Sequence, residues 1–176
     1  MDKSNFFKRY LIGKFVVFCL LAIAVLIIRE IFVENLKYFI GGLMLLYGIE
    51  QLIIDLILNK QGYLKNTNNY LGFINLLLGM TLILANISFE GVCIIWATWS
   101  ILRECIEIKE SVIEIKNLPI SIISGIESIV IIVFSVILIV NPTEHHALIH
   151  TFLLAAELIL NPLVFLVDEF YKAKHE

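Results

Sequence analysis

At 176 residues, of which 60% are hydrophobic and 16% charged, the chain is too apolar for a water-soluble domain, in which about a quarter of residues are charged and about half are apolar. Its net charge of −3 includes no basic cluster beyond the N-terminus, so nucleic-acid binding has no electrostatic basis. Cys19, Cys93 and Cys105 all fall inside apolar runs and read as small hydrophobes, which excludes a disulfide framework and a cysteine-based metal site.

The apolar residues are gathered in runs, taken here in chain order. Lys3, Lys8 and Arg9 precede a run from Tyr10 to Ile28. Ala22-Ile23-Ala24 has the outline of a signal cleavage site, yet the run continues through Ile28 and further runs follow, so it reads as an uncleaved first span. Lys14, near its cytoplasmic end, can snorkel to the headgroups. A polar turn with Arg29, Glu30, Glu34 and Asn35 leads to the second span, Lys37 to Leu58. The link NKQGYLKNTNN at 59–69 has the composition of a solvated loop. The third span is Tyr70 to Ala85, closed by Asn86-Ile87-Ser88. The fourth is Val92 to Ile108, its helix expected to run on through Lys116 until Leu118-Pro119 stops it. The fifth is Ile120 to Val140, ended by Asn141-Pro142, and the sixth is Ala147 to Val167 before the tail DEFYKAKHE. Pro162 inside the sixth predicts a kink, with Asn161 placed to satisfy a freed backbone group.

These runs predict an all-α fold: a polytopic membrane helical bundle forming one domain over 1–176. Its six transmembrane helices would form three consecutive hairpins at about 10–58, 70–116 and 120–167. Runs such as IVIIVF do not alternate, which excludes a β-barrel. Lys3, Lys8, Arg9, Lys60, Lys65, Lys109, Lys116, Lys172 and Lys174 fall on the side of the N-terminus, against Arg29 and Lys37 on the other. The positive-inside rule then puts both termini in the cytoplasm. A register of 53 residues relates Gln51, Glu104 and Glu157, and also Gly72 and Gly125, which is the mark of an internal repeat.

Charges at membrane depth persist only when they face a bundle interior or are paired. The candidate polar network is therefore Glu50, Gln51, Arg103, Glu104, Glu107, Glu127, His146, His150, Glu157 and Asn161. Ala97, Ser100, Glu104 and Glu107 recur at spacings of three and four, one small and polar stripe suited to helix contact. His146, His150, Glu157 and Asn161 share one sector of the sixth helix, a polar line from the outer surface to mid-membrane. The acids serve either as a proton-relay or sensing network, or only as hydrogen-bonding groups that fix helix packing. Histidines facing outward would protonate as external pH falls through about 6.5. His146 and His150, one turn apart beside Glu144 and His145, also raise a metal site, but two histidines alone do not specify one. Ser121, Ser124, Ser128 and Ser135 share a face of the fifth span and read as close-packing residues. No Ser-His-Asp order, Gly-rich phosphate loop, HExxH or CxxC is present, so neither an enzyme nor a cofactor is expected.

Three stretches, Trp99 to Ile108, Gly42 to Gln51 and Val136 to Pro142, together resemble the HdeD-like family of bacterial acid-resistance membrane proteins. Trp99-Ser-Ile-Leu-Arg103-Glu-Cys-Ile-Glu107-Ile108 in the fourth span carries the resemblance, and Gly42-Leu-Met-Leu-Leu-Tyr-Gly48-Ile-Glu-Gln51 in the second carries it again. So does the Asn-Pro end of the fifth span, Val136 to Pro142. That family typically has a glycine where this chain has Glu104, and the first hairpin here lacks its Asn-Pro. The resemblance implies a multi-pass protein of the bacterial cytoplasmic membrane tied to acid stress, with no catalytic residues. The leading expectation is thus a non-enzymatic protein acting in acid or stress tolerance through proton-sensitive helix packing. The alternative is a small transporter or channel for protons or a small solute. The expected partners are the lipid bilayer and, over the lipid-facing surface, a second copy or another membrane protein.

Overall fold

The structure, a computed structural model, describes residues 3–58, 67–114 and 118–175. Side chains are described for 11–53, 71–109, 119, 121–164, 166–168, 170 and 171. Lys60, Lys65 and Lys116 lie outside the described residues. Seven helices and no strand occur among the described residues: α1 (Lys3–Ile27), α2 (Arg29–Glu34), α3 (Leu36–Leu58), α4 (Thr67–Leu84), α5 (Phe89–Glu114), α6 (Leu118–Val140) and α7 (Glu144–His175).

The breaks fall where the chain supplies caps. Ser88 Oγ accepts the backbone N–H of Gly91 at 3.2 Å and starts α5; Thr143 Oγ1 accepts that of His146 at 3.3 Å and starts α7. Pro119 stands in the first turn of α6, where its missing N–H leaves no bond unmade. One link departs from the sequence reading. Arg29–Glu34, expected as a polar turn, is the short helix α2. The backbone bonds Ile28 N→Ala24 O and Phe32 N→Ile28 O carry helical geometry almost unbroken out of α1. The apolar core of REIFVE is the cause, because Phe32 and Val33 are both buried and helical geometry turns them inward.

Among the described residues, three helices are long and apolar enough to cross a membrane, through Leu36–Ile53, Ser121–Val140 and Glu144–Asp168; Leu11–Ile27 and Leu71–Leu84 are shorter apolar stretches. The radial distribution on α6 is the reverse of a soluble helix. Ile122, Ile126, Ile129, Val133 and Val140 are exposed, while Ser124, Ser128 and Ser135 are buried. Water would penalise that arrangement, whereas hydrocarbon favours it.

The chain divides into two compact units, residues 34–92, and residues 1–33 together with 93–176. In the first, α3 packs closely on α4. A Cβ at Gly79 would lie 2.6 Å from the carbonyl oxygen of Gly41, and one at Gly48 would lie 2.7 Å from that of Gly72. Only hydrogen fits at these positions, so two glycine pairs, seven residues apart on each helix, let antiparallel backbones touch. The 53-residue register meets a difference here: Gly72 sits in this contact, while a Cβ at Gly125 would meet nothing within 4 Å. In the second unit, α7 packs on α1 and on α6.

Candidate polar seam

Within the second unit, side chains of α5 meet side chains of α7 at three levels. The pairs run Ser100 with His150, Arg103 with Glu157, and Glu107 with Asn161. Both numbers rise together, so the two helices run in the same direction along this seam.

At the first level His150 is 2% exposed, its Nε2 3.3 Å from Ser100 Oγ. The indole of Trp96 meets the imidazole edge-on with centroids 4.5 Å apart, and Phe32 of α2 lies against the same indole at 6.2 Å. Trp96 and Ser100 fall on one face because they are four residues apart. At the second level the Arg103 guanidinium forms an ion pair with Glu157 and reaches Glu104 at 3.3 Å. It also lies 4.5 Å over the ring of Trp99, one turn earlier on the same helix. Glu104 is fully buried and Glu157 almost so. At the third level the Asn161 amide donates to Glu107 Oε1. Asn161 thus spends its amide on a neighbouring helix rather than on the backbone group that Pro162 frees on α7.

One carboxylate oxygen from each of Glu104, Glu107 and Glu157 lies within 4.8 Å of the others, the spacing of oxygens gathered around a common cation. The cation the chain itself supplies there is Arg103. Lys14 of α1 and Glu127 of α6 are within electrostatic reach of Glu107. The formal balance at the centre is one guanidinium against three carboxyls. Buried charge without compensation costs several kcal/mol per ion.

The remaining sequence-predicted residues lie elsewhere. His146 is turned back on its own loop, its Nδ1 2.7 Å from the carbonyl oxygen of Asn141 and 3.1 Å from Thr143 Oγ1. Glu50 and Gln51 belong to the 34–92 unit, where Gln51 Oε1 accepts the Asn75 amide at 3.0 Å. Trp96, Trp99 and Asn75 were not singled out as site residues in the sequence. Asn75 carried the clearest signal, a lone carboxamide inside LGFINLLLGM. The serine face of α6 is buried at Ser124, Ser128 and Ser135. No family model, curated protein or solved structure matches this chain.

Proposed function

We propose that the chain is a six-span, non-enzymatic protein of the bacterial cytoplasmic membrane, with both termini in the cytoplasm. In this reading it acts in acid or stress tolerance through proton-sensitive packing of α5 against α7. The HdeD-like resemblance supplies the biological setting. The observation that carries the mechanism is the gathering of Glu104, Glu107 and Glu157 around Arg103. With one cation for three carboxyls, Arg103 balances the first proton lost, and each further one adds an uncompensated charge where solvent screens little. Each proton gained replaces repulsion with a hydrogen-bond donor between helices. Acid therefore tightens the seam and alkali loosens it.

The test replaces Glu104 and Glu157 together by Gln, which keeps shape and hydrogen bonding but removes the carboxylate charge. Survival after an acid challenge is then compared with the wild type and a deletion strain. A double variant that survives like wild type, beside a sensitive deletion strain, removes the mechanism. A second reading, conduction of protons or a small solute, is favoured by the succession of polar groups from His150 through Glu157 to Asn161. Vesicles holding a pH dye separate the two, since a packing switch passes no flux.

A further inference from the structure

We propose that the Arg103–glutamate cluster exchanges protons with water at one end of the α5–α7 seam only, the end marked by Glu107 and Asn161. The other end is closed by Phe32, Trp96 and His150. This rests on the proton-responsive reading above and adds the side from which the protons come. With the orientation read from the basic residues, that side is the cytoplasm.

The closed end is a buried layer, in which the polar side chains Ser100, His150 and Thr151 are no more than 2% exposed. Phe32 and Trp96 are 0% exposed with their rings tilted against each other, and the His150 imidazole meets the indole edge-on. Ala97, Ala147 and Thr151 fill the same layer with no exposure. The hydroxyl of Thr151 donates to the Ala147 carbonyl of its own helix at 2.8 Å. His146, one turn before His150, bonds to its own loop and so does not extend the seam outward. The opposite end differs. The Arg103 side chain is 12% exposed, Glu107 and Asn161 are half-buried, and Lys109, two residues past Glu107, is exposed. Proton transfer needs a chain of polar groups that ends at water, and the exposed polar groups lie at this second end.

The charged and titratable groups that face the cluster are Lys14 from α1, Arg103, Glu104 and Glu107 of α5, Glu127 from α6, and His150 and Glu157 of α7. Glu127 is half-buried, like Glu107, whereas His150 is buried. The outward histidines expected to sense external acid are thus one loop-bonded residue and one sealed residue. The sensed compartment moves to the other face.

The experiment uses the full chain, with a protease-cleavable tag after Glu176, in sealed right-side-out and inverted vesicles. Because α5 and α7 run in the same direction, the tag marks the Glu107 end. The pH is set differently inside and outside, and membrane-permeant dicyclohexylcarbodiimide, which reacts with protonated buried carboxyls, is added while the gradient holds. Mass spectrometry then reads modification of Glu104, Glu107 and Glu157, with Glu157→Gln as the assignment control. The expected result is labelling that rises several-fold when pH falls on the tagged face and ignores pH on the other. Wild-type labelling that follows the untagged face, or both faces equally, overturns the proposal. Labelling indifferent to pH on either face overturns the proton-responsive reading and the proposal with it. In Trp96→Ala, labelling is expected to respond to both faces. The wild-type comparison decides the matter even where that variant does not fold.

Discussion

Arg103 contributes more to the seam than any other single side chain, because one guanidinium serves Glu157, Glu104 and the face of Trp99 at once. Removing it leaves the carboxyls without their contact cation, and breaking a buried pair in this way costs about 3–5 kcal/mol. Arg103→Gln is therefore expected to lower the thermal midpoint in detergent strongly. Arg103→Gln combined with Glu157→Gln should recover part of that loss, since the second change removes the charge left behind. If the double variant loses the sum of the two single losses, the ion pair carries no coupling energy. Arg103→Lys should recover little, because an ammonium has neither the planar fork nor the flat face that lies over Trp99.

At the scale of helices, two kinds of contact are at work. α3 and α4 meet backbone to backbone, and the space at Gly79 is already taken by the carbonyl of Gly41. Gly79→Ala must push the helices apart and is expected to cost about 1–3 kcal/mol. Gly125→Ala, at a helix position with open space, should change stability by less than about 1 kcal/mol. Equal losses at the two sites, measured by unfolding in mixed micelles, would show that the glycine contact is not what holds this pair. Asn75→Leu strips Gln51 of its partner and is expected to cost about 0.6–1.7 kcal/mol, the range for hydrogen bonds between membrane helices. α5 meets α7 through long polar side chains instead. Such contacts respond to charge, whereas a glycine contact responds only to shape.

For the whole molecule, two consequences follow from the exposed apolar faces of α1 and α6 and from the polar seam between α5 and α7. The protein should remain with the membrane in alkaline carbonate, because its exposed faces on α1 and α6 are valines, leucines and isoleucines. Release into the supernatant without detergent would end the membrane reading. Its thermal midpoint in detergent should also fall as pH is raised from about 5 to about 9. The sign follows from repulsion among three carboxyls that share one guanidinium: protons lost from the folded state leave charge behind in the seam. Glu104→Gln with Glu157→Gln should flatten that slope, and an unchanged slope would place the titrating groups elsewhere.

How far the residues alone determined this protein differs with the range of the interaction. Helical content and the stop at Asn141-Pro142 depend on near neighbours and were legible in the chain; the caps at Ser88 and Thr143 are as local but were not read there. So were the stripe Ser100, Glu104, Glu107 and the sector His150, Glu157, Asn161, because helical periodicity is local. Only the tertiary structure decided that these two stripes face each other and that Gln51 turns to Asn75. It also decided the close partners, α3 with α4 and α7 with α1 and α6. The physical reason is that leucine, isoleucine and valine are interchangeable against lipid and carry no pairing code. Pairing is chosen by a few small or polar side chains, and their partners stand far away in sequence.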